Sequence, residues 1–446
     1  RGRAEKAADE RLGRAAAAAA GPDDLWEVYR RARATDPSVA RVRAQANAER
    51  GAADAARAEL LPSARISGEL TRNDLHLSGF APRTVDERYT GDSVQARLSQ
   101  PLFDGPAWAR FRAGTSRVRA RQEELADREQ QLMIDVARAY FGVLRAQASL
   151  RVAQAQLRHF EKTLDQAEAF HRVGTGDVIG VQEATARRDA ARSHIIQARN
   201  TVRLARKRLE RHTHAPVGPL HDVTALAAEP PAPDSLEWWV EQALKNHPLL
   251  IRARQEWRAA EHGVDAAERA RWPVVHADLV YQEQSGLFLP DVEQRQTTAG
   301  IRMVLPLFEG GGIPARVREA EGRAAAARYG VEQREDLVRL DTESRFLSLQ
   351  DSVARFEAAQ QAVESAGTAL QATRKGYDVG TRSIVDLLSA VQSHTAAQAE
   401  YYRALYAHVL ARLELRAAAG LITEADLQRA NALLEANPDT VPAAPP

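Results

Sequence analysis

Apolar residues recur at every seventh position along two long stretches of the chain. Val143, Leu150, Leu157 and Leu164 lead to His171, and Leu349, Phe356, Val363 and Leu370 lead to Tyr377. A spacing of seven places these side chains on one seam of an α-helix and predicts coiled-coil packing. No proline interrupts the pattern from Pro106 to about Arg172, or from Pro314 to about Tyr377. At 1.5 Å per residue each helix is expected to run roughly 100 Å. Between Leu132 and Val143 the seam shifts by eleven residues, a stutter that locally relaxes left-handed supercoiling. Both helices stop at the same phrase, Val173-Gly174-Thr175 and Val379-Gly380-Thr381, and return helices follow from about Asp177 to Arg211 and from about Ser383 to Arg416. Each copy therefore reads as a helical hairpin.

Elsewhere the period drops to two. Ala64, Ile66, Gly68 and Leu70 alternate with Arg65, Ser67 and Glu69; Val94, Ala96 and Leu98 alternate with Gln95 and Arg97. Val275, Ala277, Leu279 and Tyr281 alternate with His276 and Asp278, and Ala299, Ile301 and Met303 with Gly300 and Arg302. These are four strands, each with one apolar and one polar face, in two hairpins. Pro101-Leu102-Phe103-Asp104-Gly105 closes the first hairpin and Pro306-Leu307-Phe308-Glu309-Gly310 the second.

The whole chain is thus duplicated, with Pro62 matching Pro273 at an offset of 211, Pro101 matching Pro306 at 205, and Gly174 matching Gly380 at 206. The expected organisation is a disordered leader at 1–22, a first repeat at 23–212 with strands at about 62–77 and 89–102, and a Pro-rich linker at 213–234. A second repeat at 235–433 follows, with strands at about 273–288 and 296–307, then a disordered tail at 434–446. Asp23 or Asp24 is positioned to cap a short helix before Pro37, and Asp234 or Ser235 does the same before Pro248.

Composition narrows the class. Aromatic residues make up only 6% of the chain, which suits closely packed long helices better than a bulky core. With 61 basic and 60 acidic residues, the charge balance gives no reason to expect a nucleic-acid partner. The sequence has no cysteine, which excludes disulfides and thiolate metal sites. No apolar run is long enough for a transmembrane helix, so the route into a membrane left open is a β-barrel. A membrane sheet must close to hide its backbone edges, and four strands cannot enclose a pore. Several chains must then contribute.

The duplicated arrangement, with PLFDG and PLFEGG at the strand exits, VGT at both turns and the phrase VGTRSIVDLL, resembles the TolC family of outer-membrane channel-tunnels over about Leu25 to Leu433. The resemblance implies a mainly α fold with membrane β: long coiled-coil hairpins forming an α-barrel, and a twelve-stranded transmembrane β-barrel assembled from three chains of four strands each. It implies a homotrimer in the bacterial outer membrane extending into the periplasm. Its partners would be outer-membrane lipid, a periplasmic adaptor and an inner-membrane ABC transporter or efflux pump. The function expected is an exit duct, with no cofactor, metal or enzymatic activity. VGTRSIVDLL is similar to members serving type I secretion, and the Arg- and Ala-rich composition resembles that of the exit duct for the protein toxin cyclolysin; multidrug efflux is the alternative.

The same resemblance assigns site residues. Val173, Gly174, Thr175, Val379, Gly380 and Thr381 would present the adaptor-docking turns. Tyr377, Arg382 and Asp386 match the tyrosine, arginine and aspartate that restrain and line the periplasmic constriction. The chain departs from the family where a partner aspartate is Gly180, its neighbouring threonine is Ile179, and a second ring aspartate is Ser389. Asp177 or Glu183 would then supply the acceptor for Arg382. In the strands, Ala64, Ile66, Leu70, Val94, Leu98, Leu279, Tyr281, Ile301 and Met303 are expected to face lipid, and Arg65, Glu69, Arg97, Asp278 and Arg302 water.

Other chemistries fit less well. Gly174-Thr175-Gly176 follows a helix rather than a strand, against a dinucleotide loop, and Gly310-Gly311-Gly312 lacks the Lys-Ser/Thr of a phosphate loop. His212, His214 and His221 cluster in the linker without a fourth zinc ligand. The basic stretch from Arg199 to Arg211 is interleaved with Leu204 and Leu209, as on a solvated helix face. A soluble coiled-coil scaffold or a periplasmic adaptor would not need four amphipathic strands at repeated positions.

Overall fold

The computed structural model describes residues 23–77, 85–223, 226–286 and 293–435. The expected leader, and the tail from 436 onward, lie outside them. The order is α1 (Leu25–Thr35), α2 (Pro37–Ala58), β1 (Ser63–Leu77), β2 (Val85–Phe103), α3 (Gly105–Arg172) and α4 (Val178–Thr213). After a short β3 (Asp222–Val223) come α5 (Leu236–Asn246), α6 (Pro248–Arg269), β4 (Val274–Ser285), β5 (Glu293–Val304), α7 (Gly312–Asp378) and α8 (Ile384–Ala418). The described chain ends in α9 (Glu424–Asn431) and β6 (Leu434–Glu435). It divides into two compact units, each drawing on both sequence repeats: Ala44–Glu123 with Ile251–Gln333, and the remainder.

The first unit holds a four-stranded antiparallel sheet in the order β1-β2-β4-β5. β2 begins at Val85, four residues before the expected start at about 89, because Val85 to Thr90 pair with Leu77 to Arg72 at the far end of β1. β5 stops at Val304 rather than 307, where Pro306 has no N–H to offer a ladder. The two PLF phrases turn the chain differently. Asp104 accepts from the Ala107 N–H at 2.8 Å and starts α3, whereas Gly310 and Gly311 take positive φ of 58° and 83° ahead of α7. Phe103 stacks on Trp272 at 6.2 Å, and the Arg269 guanidinium lies over the Trp272 ring.

The second unit has two apolar clusters. The larger joins α1 (Leu25, Val28, Tyr29), α3 (Leu132, Tyr140, Phe141, Leu144), α4 (Leu209) and α8 (Leu405, Tyr406, Val409). The smaller joins Phe160 and Leu164 of α3, Ala184 and Ala191 of α4, Leu370 and Tyr377 of α7, and Leu387, Leu388 and Val391 of α8. The seven-residue seam feeds both, with Val143 and Phe356 buried in the larger and Leu164, Leu370 and Tyr377 in the smaller, whereas Leu150, Leu157 and Val363 are half-buried and His171 is exposed.

The linker needs correction. Asp222–Val223 pair with Leu434–Glu435, so the expected tail contributes a strand and the expected linker is a strap. The Tyr140 hydroxyl donates to the carbonyls of Asp23 and His221, and Tyr406 donates to the Asp222 carboxylate at 2.7 Å. Arg151 pairs with the same buried carboxylate at 2.9 Å. The three histidines serve the strap and its helix: His212 faces Asp36 at 3.8 Å, His214 ends α4 with φ 50°, and the His221 carbonyl accepts from Tyr140.

Candidate functional site: two helix turns and a two-faced sheet

Both helix turns are wired identically. In the first, Gly174 takes φ 77° and donates to the His171 carbonyl, while Thr175 N–H and Oγ1 reach back to the Phe170 carbonyl at 3.0 and 3.2 Å. In the second, Gly380 takes φ 78° and donates to the Tyr377 carbonyl, while Thr381 N–H and Oγ1 reach the Gly376 carbonyl at 2.8 and 3.0 Å. The left-handed glycine with a backbone bond spanning six residues is a Schellman cap. The valine before each glycine stands in solvent, Val173 at 72% and Val379 at 74% exposure.

The return helices are capped by side chains. Asp177 accepts from the Gly180 N–H at 2.7 Å. Ser383 and Asp386 form a reciprocal capping box: the Asp386 N–H donates to Ser383 Oγ at 3.1 Å, and the Ser383 N–H donates to Asp386 Oδ2 at 3.1 Å. The Ser383 N–H and hydroxyl together hold the Asp386 carboxyl below its usual range.

A cavity of about 540 Å³ brings together Asp177, Ile179, Gly180, Glu183, Tyr377 and Arg382. Tyr377 packs on Phe170 with ring centroids 5.8 Å apart, and burial, with the nearby Asp378 carboxylate, pushes its phenol up. Arg382 is exposed and forms no ion pair among the described residues. The expectation that Asp177 or Glu183 would take it is not met within one chain, since Asp177 caps α4 and Glu183 lies 3.9 Å from Arg187. Ser389 is exposed one turn beyond Asp386. Gly180 has a reason to lack a side chain: a Cβ there would meet Ile384 Cγ2 at 3.1 Å. Sequence reasoning missed that approach and the hydrogen bond from Gln166 to Asp378 at 3.2 Å. Ser383-Ile384-Val385-Asp386 did carry the signature of the capping box.

In the sheet unit, the registers sort residues onto two faces. Ala64, Leu98, Leu279 and Ala299 lie opposite one another across all four strands, and Ile66, Ala96 and Tyr281 do so across three, with Thr297 on the fourth. Ala277 faces Ile301 and Val275 faces Met303. These rows form an exposed apolar belt, with Ile66 at 78% and Ile301 at 74%, which ends where Val94 meets Glu283 and its Arg295 partner. The other face carries Arg65 opposite Arg97, then Ser67, Gln95, Gln282 and Gln296 in one row, and Asp278 bonded by the Arg302 guanidinium at 3.2 Å from Nε. The residues expected to face lipid and water thus separate cleanly. Among the described residues, β1 and β5 each keep an unpaired edge.

A sheet with an apolar belt on one face and a charged and polar opposite face, joined to duplicated helical hairpins, defines the channel-tunnel class of outer-membrane protein. The chain belongs to the outer membrane efflux protein family, whose model matches residues 28–213 and 239–421, once in each repeat. It is 28% identical to the outer membrane protein TolC of Vibrio cholerae over 93% of this chain and 94% of that one. It is 29% identical to the alkaline protease secretion protein AprF of Pseudomonas aeruginosa over 77% of this chain and 72% of that one. The crystal structure of the outer membrane protein VceC from Vibrio cholerae superposes with a TM-score of 0.78 at 21% identity, covering 89% of this chain and 96% of that one. The chain is therefore an outer-membrane channel for efflux or secretion that extends into the periplasm.

Proposed function

We propose that three copies form an exit duct through which a protein substrate leaves the cell by type I secretion, handed on by an inner-membrane ABC transporter and a periplasmic adaptor. The observation that carries the duct is the two-faced sheet with two unpaired edges. An open edge in lipid is costly, and three chains supply twelve strands, enough for a closed pore. Protein cargo is favoured by the similarity to AprF, named for secretion of alkaline protease.

The VGT turns are the docking surface for the adaptor, offering exposed Val173 and Val379 on rigid Schellman caps. The gate lies at the same turns. Arg382, without an ion-pair partner among the described residues, is available to a neighbouring copy, and three Asp386 carboxylates around one axis attract cations. Arg382→Ser and Tyr377→Phe are expected to enlarge the resting conductance. Cargo is tested in a Gram-negative strain lacking its own channel but carrying an alkaline-protease exporter and adaptor. Restored protease in the medium supports secretion; restored drug resistance without protease would assign the duct to multidrug efflux.

A further inference from the structure

The internal duplication fixes how neighbouring copies meet in the membrane. Within one chain β1 pairs with β2 so that Ser63 faces Ser99, and β4 pairs with β5 so that Val274 faces Val304. Moving β1 by 211 and β2 by 205 residues, the offsets of Pro62 to Pro273 and Arg97 to Arg302, converts the first register into the second. The two hairpins are therefore the same unit, and the β2–β4 ladder is the joint between one unit and the next. In that joint Arg97 faces Val280. A closed ring repeats the joint between β5 of one copy and β1 of the next, with the same offsets applied. Arg97 becomes Arg302, and Val280 becomes Glu69.

We infer that β5 pairs antiparallel with β1 of the adjacent copy in the register that sets Arg302 opposite Glu69 of the partner subunit, forming an ion pair on the water-facing side of the barrel. The inference rests on the ring of three proposed above and specifies its seam.

Charge and packing support the same register independently. The Glu69 carboxylate forms no hydrogen bond or ion pair among the described residues, whereas Arg302 already bonds Asp278 and has a second edge to offer. The neighbouring rows match as well, because Ile301 would face Leu70 and Met303 would face Gly68, keeping lipid-facing residues together. A slip of one residue would exchange the two faces, and a slip of two would keep them. The two-residue slips set Arg302 against Ser67 or Thr71, and Glu69 against Gly300 or Val304. Each loses the charge pairing.

The chain has no cysteine, so introduced pairs report without background. Residues directly opposite in an antiparallel ladder sit about 4.5–5.5 Å apart between Cα atoms, within disulfide range. E69C/R302C is oxidised in isolated outer membranes and run unreduced, beside the slipped pairs E69C/G300C and E69C/V304C. L70C/I301C tests the same register from the other face and serves if removing the ion pair impairs assembly. Glutaraldehyde on the unsubstituted protein reads oligomer number separately. The expected result is a three-chain band from E69C/R302C and L70C/I301C that collapses on reduction, absent from the slipped pairs and single variants. Glutaraldehyde-linked trimers with disulfides only in a slipped pair would overturn the register and leave the ring standing. Absence of glutaraldehyde-linked trimers would overturn the ring itself.

Discussion

Replacing Leu98 with arginine should destabilise the membrane-inserted sheet. Leu98 lies between Ala64 and Leu279 on the apolar face. Phe103, stacked on Trp272, marks the aromatic rim five residues farther along β2. At about 3.4 Å per residue and a strand tilt of about 45°, Leu98 sits roughly 12 Å from that rim. The apolar band of an outer-membrane barrel is about 25 Å tall, so this position is close to its middle, where arginine costs about 2–4 kcal/mol. Each 1.4 kcal/mol is tenfold, so the folding equilibrium should fall by roughly 30- to 700-fold per chain. Arg97→Gln, one residue away on the polar face, should change stability by only about 0.5 kcal/mol. The assay is urea titration of folding into phosphatidylcholine vesicles, read by tryptophan fluorescence and by heat-modifiable migration. If Arg97→Gln proves the more damaging of the two, the assignment of faces is wrong.

Gly380→Val forces a β-branched residue into a left-handed conformation at φ 78° and should cost about 1–2 kcal/mol locally; trimers should persist on native gels while capture of the adaptor falls. Ser383→Ala removes the hydroxyl that caps α8 and should cost about 0.5–2 kcal/mol, read as a lower urea midpoint for the helical portion. His408 is fully buried, takes the Glu229 N–H on Nε2 at 3.3 Å and bonds Ser352 through Nδ1 at 2.9 Å. Burial and then Arg412 lower its pKa against the opposing Glu229 carboxylate. Its folded pKa lies below the unfolded value near 6.5, so its contribution to stability is full above that value and declines as pH falls toward the folded pKa. The urea midpoint should drop between pH 7.5 and 5.5, and drop less in His408→Gln.

Much of this architecture was legible because it is periodic. The seven-residue seam ending at Tyr377 and the alternation around Leu98 report burial directly, since helix and strand geometry turn spacing into a face. Duplication added a check, as PLFDG and PLFEGG locate the same corner twice. What stayed hidden depends on partners remote in sequence. Nothing around Tyr406 announces that its hydroxyl holds Asp222, 184 residues away, or that Leu434 belongs beside Val223. The missing side chain at Gly180 reads as a departure from the family until Ile384 is found occupying its space. Asp386 carries two signals at once, its charge and a spacing from Ser383 that encodes a cap.

The most direct test of the channel is single-channel recording of the detergent-extracted protein in a planar bilayer. Long-lived, cation-selective conductance is expected, with selectivity reduced in Asp386→Asn and conductance raised in Arg382→Ser. A correctly folded, membrane-inserted protein that passes no current in the unsubstituted form or in the Arg382→Ser and Tyr377→Phe variants would contradict a duct gated at these turns.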